Sequence, residues 1–242
     1  KAGTGKTTFL HKLKMKSLKR MVVVAPTGVA AINARGVTIH SFFQMPFGPI
    51  LPDNELNSPS SFNRKFSKTK INIIKSLDLL VIDEISMVRA DLLDGIDKTL
   101  RRYKNRNLVF GGVQLLMIGD LQQLSPVIKQ NEWQLLRSYY KNAYFFSSQV
   151  FQQCNALTIE LKHIYRQDNA KFIKILNEIR TNTLTQESTD ALNKRYLPNF
   201  KPEEGYIALT THNIKADRIN NKELDKLNSK SFTYKANVEG KF

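Results

Sequence analysis

The sequence has little of what stabilises a small secreted protein or carries a chain across a membrane. Its 242 residues include one cysteine, Cys154, so no disulfide can form within the chain. No stretch approaches the roughly 20 apolar residues of a membrane-spanning helix, and the first residues do not resemble a signal peptide. We therefore expect an intracellular protein without membrane contact, cytoplasmic in a prokaryote and nuclear or mitochondrial in a eukaryote.

Patterns that bind a structural metal are also missing. The four histidines lie far apart and lack the short spacing of a zinc site: His11, His40, His163 and His212. No structural metal is expected on these grounds.

Acidic residues are few relative to basic ones. The chain has 21 acidic and 37 basic side chains, a formal charge of +16, and the basic residues cluster near positions 12–20, 64–75 and 98–106. Each cluster could be the solvated face of a helix or loop. Three clusters with little acidic counterweight favour a polyanionic partner, although charge does not distinguish DNA from RNA or from an anionic membrane.

Short apolar segments alternate with helical patterns in the first half of the chain. Three segments have the branched, continuously apolar character of buried parallel strands: Met21–Ala25, Leu77–Ile82 and Val113–Ile118. Helices are predicted between and around them, at Lys6–Ser17, Gly28–Arg35 and Ala90–Arg102. This order predicts an α/β fold with a doubly wound parallel sheet.

The rest of the chain is organised differently. Phe47–Thr69, with three prolines, is predicted to be a long surface insertion. A second α/β pattern follows, with strands at Ala156–Leu161 and Tyr206–Thr210 and helices at Ala170–Arg180 and Ile214–Leu227. We therefore predict a first domain at 1–155 and an incomplete second domain at 156–242, in a chain truncated at both ends.

The residues Gly3-Thr4-Gly5-Lys6-Thr7 match the end of a phosphate-binding P-loop, G-x-x-x-x-G-K-[ST], whose first glycine would precede Lys1. In such a loop the backbone N–H groups and the start of the next helix surround the phosphates. Lys6 is then expected to reach the β- and γ-phosphates of ATP, Thr7 to bind Mg²⁺, and Thr8 to complete the nucleotide site. A chance match in a glycine turn is the alternative, which the predicted helix after the loop disfavours.

Polar residues end the next two predicted strands. Asp83 and Glu84 follow the second strand, where Asp83 is expected to hold Mg²⁺ through water and Glu84 to activate the attacking water. Gln123 follows the third strand and is expected to sense the γ-phosphate; an ordinary polar turn is the alternative. With the P-loop, these residues predict an enzyme that hydrolyses ATP or GTP.

Four segments also carry a family resemblance. They resemble motifs Ia, II, III and IV of the Pif-type (petite integration frequency) helicases of superfamily 1, with RecD-type enzymes as nearest relatives: Ala25–Phe43, Val81–Val88, Gly111–Val127 and Leu161–Gln167. The similarity covers about residues 1–180 and is weaker beyond. Ser125 stands where the family usually has proline.

The resemblance implies two RecA-like domains that bind ATP between them and move 5′→3′ on single-stranded DNA. It makes Arg166 an arginine finger from the second domain, a surface arginine being the alternative. It implies single-stranded DNA and DNA forks as partners of a monomer, and places a set of residues along the DNA: Pro26, Thr27, Gly28, His40 and Phe43. For Phe42 and Phe43, a place in the core is the alternative.

The sequence also allows other interpretations. Residues 58–70, with aromatics between basic side chains, could contact DNA or form a disordered loop. The protein as a whole could be a RecD-type recombination helicase, a P-loop ATPase that loads or remodels without unwinding, or a non-catalytic DNA-binding module.

Overall fold

The computed structural model describes residues 1–52, 66–200, 205–235 and 237. The chain forms two compact units, Lys1–Thr185 and Gln186–Phe242. This division lies further along the chain than the predicted boundary after residue 155, because part of the following segment packs on the first unit: the Tyr165 amide donates a hydrogen bond to the Gly3 carbonyl at 2.8 Å.

The first unit contains a parallel sheet of four strands in the order β2-β1-β3-β4. The strands are β1 Met21–Ala25, β2 Val37–Thr38, β3 Leu79–Ile82 and β4 Gln114–Met117. Three of them confirm the predicted strands, with shorter ends for β3 and β4. The sequence did not predict β2, because two residues are too few to show a hydrophobic pattern.

Successive strand residues face opposite sides of the sheet and enter different cores. Val24 and Leu80 belong to one buried cluster, whereas Val23 and Val81 belong to another together with Leu10 from the first helix. A parallel sheet buried on both faces needs apolar residues at every position, which explains the continuously apolar strands. The predicted doubly wound α/β fold is confirmed.

Eight α-helices accompany the sheet among the described residues of the first unit. They are α1 Lys6–Lys16, α2 Gly28–Asn33, α3 Ile39–Phe43, α4 Lys68–Ser76, α5 Ala90–Tyr103, α6 Gln130–Leu136, α7 Gln149–Gln152 and α8 Ala170–Thr181. The predicted helices correspond to α1, α2, α5 and α8. Thr27 and Thr38 begin α2 and α3, and each hydroxyl accepts a hydrogen bond from a backbone amide of the first turn, as N-cap residues do.

Helix α5 connects three segments of the unit through buried carboxylates on one side. Asp91, Asp94 and Asp97 accept hydrogen bonds from the backbone amides of Ile50 (2.8 Å), Val150 (2.8 Å) and Phe110 (2.6 Å), respectively. Burial raises the pKa of the Asp94 and Asp97 carboxyls. Because a buried amide or carboxylate without a partner is costly, each bond fixes one loop on the helix.

Three side chains of the basic cluster at 98–106 bind protein atoms in and around the same helix. Lys98 donates to the Pro52 carbonyl at 2.7 Å, Arg101 pairs with Asp97 at 2.7 Å, and Lys104 donates to the carbonyl of Leu77. These three cations therefore bind protein atoms, and the cluster is weaker support for a polyanionic partner than its sequence suggested.

The two later strands were predicted wrongly. Residues 156–161 and 206–210 pair with no other strand in the described ranges, and Leu157 and Ile159 expose 87% and 76% of their surface. An extended segment without a neighbouring strand cannot complete a ladder of backbone hydrogen bonds. The second unit contains α9 Gln186–Asn193 and α10 Asn213–Leu224, the latter confirming a predicted helix with an earlier end.

The predicted insertion is described only at its edges. Its last residues belong to α4, and the central residues 53–65, with most of the basic and aromatic segment 58–70, lie outside the described residues. Among the helices in the described ranges, none combines the length and the apolar character required to cross a bilayer.

Candidate nucleotide-binding site

The P-loop turns directly into helix α1. Gly3 and Gly5 have φ angles of 70° and 81°, in the left-handed region that glycine adopts without strain. The Thr4 hydroxyl and the Lys6 ammonium group both donate to the Lys1 carbonyl, at 2.8 and 2.7 Å. The turn therefore leads directly into α1, whose first amides have no carbonyl partner within the helix and are the groups that bind a phosphate in a P-loop, and Thr7 and Thr8 beside them are exposed.

The acidic pair lies at the carboxyl end of β3, the central neighbour of β1 and β4. Glu84 adopts a left-handed φ of 51°, unusual for a residue other than glycine, and its amide donates to the Asp83 carboxylate at 3.0 Å. The Ile85 amide then bonds the Ile118 carbonyl at 2.9 Å. The bend after β3 is thus fixed by bonds on both sides, as is common for strained backbone at functional sites.

The charges of Lys6, Asp83 and Glu84 act on one another. Burial is the main cause that raises the pKa of both carboxyls; the Asp83 charge raises the pKa of Glu84 further, and the Lys6 charge opposes both shifts. The structure therefore brings together three residues that the sequence placed in two distant motifs.

The two residues predicted to hold Mg²⁺, Thr7 and Asp83, offer a hydroxyl and a carboxylate. One Asp83 oxygen accepts the Glu84 amide, while Thr7 is exposed at the first turn of α1. Such hard oxygen ligands, completed by phosphate and water, are the set that Mg²⁺ prefers. The residues present therefore fit the ion, although the described residues contain no cluster of three or more acidic, histidine or cysteine ligands.

Gly119, in the loop after β4, lets that loop approach the turn that follows the acidic pair. A Cβ atom on Gly119 would lie 2.8 Å from the Ile85 side chain. The next residue, Asp120, is buried and accepts hydrogen bonds from the Gln122 amide (3.2 Å) and the Gln123 side chain (3.3 Å). Gln123 itself is exposed beside this fixed carboxylate.

Sequence reasoning missed the strongest partner of this loop. Arg180, in α8, donates two hydrogen bonds to the Asp120 carboxylate, at 3.0 and 2.5 Å, and holds the pKa of that carboxyl well below its usual range. From the sequence, Asp120 could be recognised only as a polar residue that follows a predicted strand. Nothing in the sequence pattern linked it to an arginine 60 positions away.

The segment that carries Arg166 packs against the P-loop. Besides the bond from Tyr165 to Gly3, a Cβ atom on Gly3 would lie 2.8 Å from the Cβ of Arg166. Only glycine tolerates this approach, and the Arg166 side chain is exposed next to the loop. The two segments share one compact unit.

Three residues of the predicted DNA track follow β1 at the same edge of the sheet. Pro26 and Thr27 are half-buried, and Gly28 is exposed. The Thr27 hydroxyl accepts a hydrogen bond from the Ala30 amide at 3.2 Å, and a hydroxyl used as acceptor keeps its own proton to donate.

Phe43 requires a correction. Its side chain is 2% exposed and meets Phe42, 5% exposed, edge to face at 4.8 Å, so both rings belong to the core and Phe43 offers no face to a base. The exposed ring is Phe47, at 88%, which stacks on the half-buried His40 with centroids 5.1 Å apart and planes at 13°. Burial lowers the pKa of His40, which favours its neutral form.

Known proteins resemble this chain over most of its length. An ATP-dependent DNA helicase PIF1 from Saccharomyces cerevisiae is 34% identical over 93% of the chain, which spans 26% of that protein. A crystal structure of Pif1 helicase from Bacteroides, in complex with ADP-AlF3 and single-stranded DNA, superposes with a TM-score of 0.85 at 43% identity, covering 95% of this chain and 53% of that one.

A structure of two coordinating Pif1 helicases at forked double-stranded DNA superposes with a TM-score of 0.84 at 46% identity, covering 93% of this chain and 52% of that one. The family model described as PIF1-like helicase matches residues 1–190. The sheet described above therefore has the RecA-like fold, and the chain belongs to the PIF1-like helicase family.

Proposed function

We propose that the protein containing this chain is an ATP-dependent DNA helicase that moves 5′→3′ along single-stranded DNA. The observation that carries the proposal is that Asp83 and Glu84 follow β3 at the carboxyl edge of the parallel sheet, where open α/β sheets bind ligands, within range of the charge of Lys6 at the start of α1. The helicase activity and its direction are supported by family membership. The chain spans only part of its relatives, so the activity is proposed for the intact protein.

Each site residue has a role in this proposal. Lys6 binds the β- and γ-phosphates, and Glu84, whose burial makes it a stronger base than an exposed glutamate, takes the proton of the attacking water. Gln123 orients that water beside the γ-phosphate, and Arg166 stabilises charge on the transferred phosphoryl group. Thr7 and Asp83 would hold Mg²⁺, which neutralises charge on the phosphates when it is bound.

DNA would follow the same edge of the sheet. The proposed contacts are the hydroxyl and amide groups of Thr27 and Gly28, Pro26 beside them, and His40 with the Phe47 ring stacked on it. The excess of basic residues supplies attraction for phosphate. DNA forks are proposed as the substrate because a related structure shows Pif1 helicases at forked DNA.

A helicase also needs a second domain that closes on ATP and reopens after hydrolysis. We propose that this domain begins after residue 155, with 156–242 as its first part, of which the stretch up to Thr185 packs with the first unit. We also propose that the protein is a monomer. A protein that uses ATP and DNA works where both occur, in the cytoplasm of a prokaryote or in the nucleus or mitochondria of a eukaryote.

Unwinding of tailed duplexes by the intact protein tests the proposal. With ATP and Mg²⁺, a duplex with a 5′ single-stranded tail should be unwound and one with a 3′ tail should not. Gel separation of the strands, with and without ATP, gives the answer. Unwinding from 3′ tails alone would reject the direction, whereas DNA-stimulated ATP hydrolysis without unwinding would favour a loader or remodeller.

The two phenylalanines provide a matched test of the DNA contact. Phe47→Ala should weaken binding to single-stranded DNA by about 1–3 kcal/mol, the contribution of one stacked base, without lowering the melting temperature. Phe43→Ala should instead lower the free energy of unfolding by about 3–5 kcal/mol, because it removes a buried ring. Fluorescence anisotropy with labelled oligonucleotides and thermal unfolding separate the effects. Unchanged affinity in Phe47→Ala would remove this ring from the proposed track.

A further inference from the structure

The loop that carries Gln123 is held by one carboxylate. Asp120 accepts the Gln122 amide and the Gln123 side-chain amide, and the backbone amide of Gln123 bonds the Asp120 carbonyl at 2.9 Å. The Asp120 side chain is 1% exposed. Any shift of this carboxylate would therefore move the side chain proposed to orient the attacking water.

Arg180 fixes that carboxylate from a different element. Its guanidinium meets both Asp120 oxygens, in the planar, two-bond arrangement that fixes orientation as well as distance. The arginine side chain is 25% exposed, so the pair lies mostly out of water. Removing Arg180 would leave the buried Asp120 carboxylate with fewer hydrogen bonds. Because an unpaired buried charge is unfavourable, the carboxylate would shift towards water or another donor.

Helix α8 also follows the segment that packs on the P-loop. Tyr165 bonds Gly3, and α8 begins soon afterwards at Ala170 and ends near Arg180. The same stretch of chain therefore touches the phosphate loop at one end and the Gln123 loop at the other. Both loops lie at the edge where the hydrolysis residues converge.

From this geometry we propose that Arg180 is a positioning residue for ATP hydrolysis, which acts through Asp120 to hold Gln123 in place. The proposal rests on the ATPase function proposed above. Arg180 would not itself contact ATP; it would determine the position of the Gln123 side chain. Small displacements of a positioned group can lower turnover about 100-fold.

A second arginine–aspartate pair provides a control with the same chemistry. Arg20 donates to both oxygens of Asp78, at 2.9 and 3.1 Å, and the side chains are 67% and 36% exposed. Both residues precede their strands, so the pair lies at the amino ends of β1 and β3, opposite the nucleotide site. Arg20→Gln should therefore remove an equivalent pair without any effect on turnover.

The experiment compares steady-state ATP hydrolysis by the intact protein with saturating single-stranded DNA. Arg180→Gln should lower kcat about 10- to 100-fold while the KM for ATP changes less than about threefold, because the phosphate contacts of Lys6 remain. Arg180→Lys keeps the positive charge but cannot make the planar two-bond contact with the carboxylate. Its kcat should therefore lie between those of Arg180→Gln and the wild type. Arg20→Gln should match the wild type.

A double-mutant cycle tests whether Arg180 acts through Gln123. Combined with Gln123→Ala, Arg180→Gln should cost little beyond the single Gln123→Ala substitution, since both remove the same positioned group. Additive losses would overturn the inference and indicate that Arg180 acts on ATP directly.

Two further results would overturn the proposed role of Arg180. A kcat within about threefold of wild type in a folded Arg180→Gln protein would overturn it. If Arg180→Gln does not fold, Arg180→Lys decides, since normal turnover in that variant would equally overturn it. Absence of turnover in the wild type would reject the proposed function itself, which keeps the two failures distinct.

Discussion

Replacement of Arg166 by alanine is expected to lower kcat for ATP hydrolysis about 10³-fold while ATP still binds. In the role proposed for it, the guanidinium stabilises negative charge that develops on the transferred phosphoryl group, so its loss should act on the transition state more than on bound ATP. Its position supports this role, because the Arg166 Cβ approaches Gly3 of the P-loop and the side chain is exposed.

Steady-state phosphate release measures kcat, and titration with a fluorescent ATP analogue measures nucleotide affinity, so the two experiments separate turnover from binding. Arg137→Ala is a suitable control, since Arg137 is also exposed and lies at the end of α6 outside the proposed site. Exposure of both side chains means that neither substitution should change the melting temperature. A loss smaller than about threefold in Arg166→Ala would make Arg166 a structural residue and require another finger.

Glu84→Gln is expected to slow turnover about 10²- to 10⁴-fold, the usual contribution of a general base. Glutamine keeps the size and shape of the side chain but cannot accept the proton of the attacking water. Because the bend is fixed by hydrogen bonds from the backbone amides of Glu84 and Ile85 to the Asp83 carboxylate and the Ile118 carbonyl, and not by the Glu84 side chain, the fold should not change. ATP should still bind, through Lys6 and Thr7.

Single-turnover hydrolysis and equilibrium ATP binding measure the two effects separately. Asp83→Asn is the matched comparison: it should reduce the dependence of binding on Mg²⁺, since the amide is a poorer ligand than the carboxylate. Loss of ATP binding in Glu84→Gln, with turnover of bound ATP retained, would reverse the roles assigned to these two neighbours.

The strands, and the residues proposed to hydrolyse ATP, could be predicted from the sequence for a physical reason. Strands buried on both faces must be apolar at every position, so β1, β3 and β4 stood out as continuous apolar runs. Because parallel strands align their carboxyl ends, residues that follow different strands must meet at one edge. The sequence therefore predicted that Asp83 and Glu84 would lie at the carboxyl edge of the sheet, whereas the place of Lys6 beside them was predicted from the P-loop motif.

Packing between segments was not accessible in this way. Phe43 and Phe47 are both aromatic and lie four positions apart, yet only the placement of α3 against the sheet puts the first in the core and leaves the second exposed. The lysines and arginines at 98–106 looked like a surface charge, and only the surrounding carbonyls and Asp97 show them as structural. Local pattern reports the average burial of a segment, not the partner of each side chain.

The pair of Arg180 and Asp120 shows the limit most clearly. Asp120 stands at a strand end that the sequence marked as polar, and Arg180 stands in a helix that the sequence also predicted. Each element by itself was determined by local composition and periodicity. Their two hydrogen bonds depend on where α8 lies relative to the loop after β4, and only the tertiary structure decides that, because side chains 60 residues apart meet through packing rather than through sequence spacing.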